Sequence, residues 1–125
     1  MVNFGEPQTV PAKFNGRTFY HHNPQVTLMR TNAEECAELG RIIAEKVNES
    51  TGPVSVLLPL KAISVISAAG KAFYAPEADE ALFGALWKHL REDISVIERD
   101  MEINDPAFAR ACAETLLALL GKGSR

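Results

Sequence analysis

Two cysteines in 125 residues are too few to staple a fold. Cys36 and Cys112 both lie in helical patterns among apolar neighbours, with no CxxC and no secretory signal, so the reading is a reduced thiol pair in a cytoplasmic protein. Net charge is scarce as well. Thirteen basic against sixteen acidic residues leave a formal charge of -3, which provides no basic field for nucleic acid. No apolar run approaches the ~18 residues of a membrane span, so neither a membrane nor a nucleic acid is expected as partner. Histidine is sparse, with three in all. His89 falls on the polar side of a helical pattern and no carboxylate stands at ligand spacing to His21 and His22, so no metal site is evident. Walker A, GxGxxG and GxSxG motifs and a Cys/His nucleophile pattern are all missing, so no motif names a reaction. There are no internal repeats and no low-complexity tracts.

What is present suits one globular domain: 46% hydrophobic and 23% charged residues, in a chain long enough for a modest core and too short for two domains. Residues 1–16 carry Gly5, Pro7, Pro11 and Gly16, with only residues 1–4 resembling a strand, and read as an N-terminal arm or linker from a missing upstream domain. Residues 17–125 read as the single α/β domain. Residues 17–20 are β-branched and aromatic and run into His21-His22-Asn23-Pro24, where the residue before proline is pushed away from helical angles. Thr31 or Asn32 then opens a helix, since residues 31–34 read as a capping box closed by Glu34. Its inward stripe is Cys36, Leu39, Ile43 and Val47, with Ile42 alongside, and it ends near Asn48.

Residues 54–58 are continuously apolar between Gly52-Pro53 and Pro59, the pattern of a central strand buried on both faces. Residues 63–66 suit either a short strand or a helical turn. Pro76 sits at the first position of a helix with Glu77, Asp79 and Glu80 in its opening turn and Leu82, Phe83, Leu86 and Leu90 as its stripe. Residues 94–100 form a third strand, and Asp105-Pro106 cap a last helix carrying Phe108, Cys112, Leu116 and Leu119, with Gly121 as its stop. Strands alternating with amphipathic helices predict an α/β fold, a three-layer, mostly parallel sheet with helices on both faces. Polar residues recur where strands hand over to helices, and in such a sheet those handovers line the ligand-binding edge.

Several stretches carry a resemblance. Asn3-Phe4-Gly5, the run from His22 through Asn23-Pro24-Gln25-Val26-Thr27-Leu28-Met29-Arg30 to Thr31, Leu57-Leu58-Pro59-Leu60-Lys61, Phe73-Tyr74 before Pro76-Glu77-Ala78-Asp79, and Ile103-Asn104-Asp105-Pro106-Ala107-Phe108 resemble the C-terminal half of the Tm-one-like ATP-binding family. That family is named for a tomato protein that confers resistance to tomato mosaic virus, and its bacterial members are mostly uncharacterised. The resemblance implies a two-part protein with Rossmann-like halves, of which this chain matches the second, and ATP as a possible ligand. The glycine-rich first half is absent. Ser67 and Ala75 stand where the family commonly carries acidic residues, which puts any site needing those carboxylates in doubt.

The candidate ligand or phosphate contacts are His22, Asn23, Arg30, Thr31, Lys61, Asn104 and Asp105. Arg30 precedes a helix N-terminus and Lys61 follows a buried strand, where a cation beside free helix amides suits an anion; the competing reading is a surface ion pair. His22 with Asn23 can touch a phosphate or exchange a proton, against a turn-stabilising role for Asn23. Asp105 is explained by capping alone, and Phe73-Tyr74 suits ring stacking or a hydrophobic lead-in to the helix at Pro76. His22, Lys61 and Asn104 are expected to converge on one sheet edge. The first functional reading is one wall of a nucleotide (ATP) or other phosphate-ligand site, completed by the missing N-terminal half. A second is half of a metabolic enzyme acting on a small carboxylate or acyl substrate, with His22 as acid or base and Arg30 or Lys61 on the anion. A third is an oligomerisation or interaction module, and a homo-oligomer is expected because the missing half would leave apolar surface exposed.

Overall fold

The computed structural model describes residues 1–123 and holds a mixed α/β fold with two small sheets. Strands β1 (Val2–Phe4), β2 (Phe19–Asn23) and β3 (Val26–Met29) form an antiparallel sheet in the order β1-β3-β2. Residues 1–16 thereby supply an edge strand, with Val2 opposite Met29 and Phe4 opposite Thr27. Two short 3-10 turns follow β1, and the second brings Phe14 to within 5.7 Å of Phe4, ring to ring. The expected strand over residues 17–20 is shifted. β2 continues through both histidines to Asn23, and the chain then reverses so that Phe19 faces Met29 and His21 faces Thr27. The reversal is tight because Asn23 Oδ1 accepts from the Gln25 amide at 2.9 Å, a side-chain-closed turn around Pro24. A full strand, β3, therefore stands between the histidines and the first helix.

Helix α1 (Ala33–Asn48) opens with a capping box one residue later than the sequence suggests: Asn32 accepts from the Glu35 amide at 2.9 Å and Glu35 accepts from the Asn32 amide at 3.0 Å. Its buried face is also turned. Cys36, Gly40 and Ala44 point inward, while Leu39 and Ile43, expected in the stripe, are 40% and 43% exposed. The reason is the closeness of α2 (Pro76–His89): a Cβ on Gly40 would lie 2.5 Å from the Leu82 carbonyl oxygen. Only the small-residue face of α1 permits that approach, and close packing outweighs the burial of two larger side chains.

Strands β4 (Ser55–Pro59) and β5 (Ser95–Arg99) pair in parallel, from Ser55 with Ser95 to Pro59 with Arg99, as the second sheet. Three of the five strands are thus antiparallel, and the expectation of a mostly parallel sheet gives way to a two-stranded parallel pair beside a three-stranded antiparallel sheet. Residues 54–58 are correspondingly less covered than a central strand would be: Leu58 is buried, but residues 54–57 are half-buried, since β4 has one neighbouring strand. Leu58 joins Ala44, Phe83 and Leu86 in the core, with Val56, Ile63, Leu82, Leu90 and Val96 packed against it. The α2 stripe is therefore as its spacing predicts.

Residues 65–67 form a 3-10 turn held by reciprocal Ser64 and Ser67 bonds. Helix α3 (Pro106–Gly123) begins as expected, with Asp105 Oδ1 accepting from the Ala107 amide at 2.8 Å, and runs past the expected stop at Gly121. Phe108 is buried, but Leu116, assigned inward by spacing, is 56% exposed. Both cysteines are free, Cys36 buried and Cys112 half-buried. Among the described residues no helix is long and apolar enough to cross a membrane.

Candidate functional site

The carboxyl ends of β4 and β5 stay joined after the strands end. Leu60 donates its amide to Arg99 O at 2.9 Å, Lys61 donates to Met101 O at 3.0 Å, and Ile103 donates to Ala62 O at 2.8 Å, around a parallel bridge between Ala62 and Glu102. These bonds set Ala62 opposite Glu102, with Lys61 next to Ala62, where both strands turn toward their helices. A cleft of about 490 Å³ opens there against the first turn of α2, lined by Leu60, Lys61, Tyr74, Glu80, Phe83 and Glu102 among others. The Lys61 side chain is 57% exposed and its Nζ stands 3.6 Å from an Asp100 carboxylate that is itself 82% exposed. So weak a surface pair leaves the ammonium available to a ligand.

Asn104 lies exposed on the neighbouring loop, between β5 and the last helix. Asp105 is committed to capping α3. His22 lies on β2 of the antiparallel sheet, whereas Lys61 and Asn104 follow strands of the parallel pair. It is exposed beside Tyr20, with ring centroids 6.5 Å apart, and Asn23 next to it closes the hairpin.

Arg30 meets a different fate from the one its position suggests. It is 6% exposed; Nε donates to Phe73 O at 3.0 Å, and one terminal nitrogen donates to Asp79 Oδ1 at 2.5 Å and reaches Ala75 O at 3.4 Å. The guanidinium ties the end of β3 to the start of α2, so the expectation that it holds an external anion gives way to an internal ion pair. Thr31 is buried too, its hydroxyl 3.2 Å from the Cys36 sulfur. Spacing along the chain cannot show this pairing, since Arg30 and Asp79 are 49 residues apart. Asp79 looks like a dipole-compensating first-turn acid, and only its burial reveals the second role.

Two further residues are more important than their sequence positions suggest. Phe73 is 1% exposed, its amide bonds Ile66 O at 2.8 Å, and Tyr20 meets its ring edge-on at 6.3 Å. It fills the lead-in role before Pro76 and leaves Tyr74 52% exposed over the cleft. Ser67 is buried in its own turn, and Ala75 is the N-cap of α2 without a side-chain cap bond. Arg17 supports the α1 cap from outside: it donates to both Glu35 oxygens, at 3.1 and 2.6 Å, and to Arg30 O at 3.0 Å.

The Arg17 hydrogen bond, partly opposed by desolvation, holds the Glu35 carboxyl below its usual value of 4.5, with help from the Asn32 amide. A carboxylate lowered in the folded state stabilises it above the unfolded pKa and loses that contribution as pH falls through the folded one. Urea melts of the protein and of Glu35→Gln should therefore differ at pH 7 and approach each other below about pH 4. The difference is modest because the Glu35 side chain is 37% exposed; a gap that widens in acid would contradict the assignment.

The C-terminal domain profile of the uncharacterised protein family UPF0261 matches residues 1–120. The chain belongs to that family. It is 50% identical over 113 residues to a UPF0261 protein of Rhizobium meliloti, covering 89% of this chain and 28% of that protein. A UPF0261 protein of Clostridium tetani is 43% identical over 98% of this chain and 30% of its own length. The ToMV resistance protein Tm-1(GCR237) of Solanum lycopersicum is 40% identical over 98% of this chain and 16% of its own length. The chain thus spans less than a third of each of these relatives, and the resemblance to the Tm-one-like family holds.

Proposed function

We propose that this UPF0261 domain supplies one wall of a binding site for a nucleotide, ATP, or another phosphate-bearing ligand, at the carboxyl ends of β4 and β5. The observation that carries the reading is Lys61: an exposed ammonium at the mouth of a cleft, held at the joined ends of a parallel strand pair. Ligands of open α/β sheets bind at that end of the strands. The finer architecture proposed with it is a Rossmann-like half in three layers. Val56 and Val96 pack toward α1 and α2, α3 touches β4, and the open edges of the pair suit added strands from the remainder of a longer, two-part protein. The remainder, matching the family's first half, would form the opposite wall. We place the protein in the cytoplasm, in line with its two free thiols.

Titrating ATP by calorimetry into the protein and into Lys61→Ala tests the reading. A charge-assisted bond to phosphate is worth roughly 1.5 to 3 kcal/mol, a loss of about one to two orders of magnitude in affinity. Unchanged affinity in Lys61→Ala removes the proposed contact. Self-association has a structural basis of its own: Leu116 and Leu117 on α3 are 56% and 67% exposed, a surface suited to a second copy or to the rest of the protein.

A further inference from the structure

Resting on that nucleotide reading, we infer that the cleft takes the nucleoside end of the ligand, with the base on Tyr74, the ribose hydroxyls toward Glu80 and Glu102, and the phosphates outside it near Lys61. The charges of the lining decide the orientation. Asp79 is neutralised by Arg30 at 2.5 Å, but Glu80 and Glu102 are exposed, line the same cleft and, among the described residues, enter no ion pair. Two free carboxylates against the single ammonium of Lys61 give the interior a net negative charge that repels a polyphosphate. The same carboxylates are good acceptors for sugar hydroxyls, the role an acidic residue plays toward ribose in dinucleotide sites.

Tyr74 provides the apolar half of the recognition. Its ring is 52% exposed on the cleft wall, while the neighbouring Phe73 is 1% exposed and bonded through its backbone to Ile66 and Arg30, which anchors the platform. With the backbone beside it held in this way, Tyr74 needs little main-chain ordering to present its ring to a base. Leu60 and Phe83 complete an apolar lining suited to a flat heterocycle and not to a hydrated anion. Lys61 stands at the rim with its ammonium facing solvent, where a phosphate projecting from the cleft meets it.

Calorimetry with adenosine, ATP and inorganic tripolyphosphate separates the two ends of the ligand. Tyr74→Ala should weaken adenosine and ATP by the same factor, about tenfold, and leave tripolyphosphate unchanged; Tyr74→Phe should retain adenosine. Lys61→Ala should weaken ATP and tripolyphosphate and spare adenosine, and Glu102→Gln should weaken adenosine but not 2′,3′-dideoxyadenosine. Thermal melts control for folding, which an exposed ring should not perturb. If ATP binds through Lys61 but adenosine does not bind, or Tyr74→Ala changes neither ligand, the orientation is wrong and the phosphate site stands. If neither ATP nor tripolyphosphate binds, the nucleotide reading fails with it.

Discussion

Replacing Arg30 with methionine should lower the unfolding free energy by about 3–5 kcal/mol, a large part of the 5–15 kcal/mol of a typical domain. The substitution keeps an apolar stem of similar length but leaves Asp79, 7% exposed, with an uncompensated charge and removes the donor that holds the carbonyls of Phe73 and Ala75. The cost comes from stranding the partner, so it should shrink when the partner is changed too. Arg30→Met with Asp79→Leu should be more stable than Arg30→Met alone, although burying a new apolar pair does not restore the lost carbonyl partners. Urea unfolding of the two single variants and the double variant measures the coupling. Additive losses would mean that the pair does not act as a unit.

Gly40→Ala should be the next most damaging single change, at about 2–3 kcal/mol. The new methyl would stand 2.5 Å from Leu82 O and 2.7 Å from Ala85 Cβ, both rigid parts of α2, so the two helices must move apart. That strain overrides the gain of up to about 1 kcal/mol that alanine brings to a helix interior. Gly84 on α2 is the control. An added Cβ there meets nothing within 4 Å, so Gly84→Ala should stabilise where Gly40→Ala destabilises. Thermal melts of the pair decide the point, and a stabilised Gly40→Ala would mean that α1 and α2 are not in close contact.

The contrast between these glycines also shows what the sequence reveals. Elements closed by local chemistry were legible: Pro76 opening α2, Asp105 capping α3, and the apolar stripe around Phe83 and Leu86, each set by residues within a turn or two of each other. The face of α1 was not, because a partner helix some 40 residues away selects small residues over large ones. The hairpin of β2 and β3 was hidden because His21-His22-Asn23-Pro24 marks a turn equally well at its beginning or at its end, and Val26 to Met29 alternates only briefly. At the cleft, the place of Lys61 followed from the rule that loops cluster at strand ends. The pairing of Arg30 did not, since which carboxylate a guanidinium meets is settled by contacts distant in sequence.

The junction of the two packed helices sets a narrow limit on substitution. The Asn48 side-chain nitrogen donates to His89 O at 2.7 Å while its oxygen accepts from the Arg91 amide at 2.8 Å, and its own carbonyl accepts from the Arg91 guanidinium. One short amide therefore serves an orphan carbonyl at the end of α2 and orders the loop beyond it. Aspartate at 48 would turn a carboxylate oxygen toward the His89 carbonyl, leucine would satisfy neither partner, and glutamine would carry the amide one methylene too far. Among the twenty side chains only asparagine meets both demands at that reach, so drift here is closed to a position that looks, from its place at a helix end, free to vary.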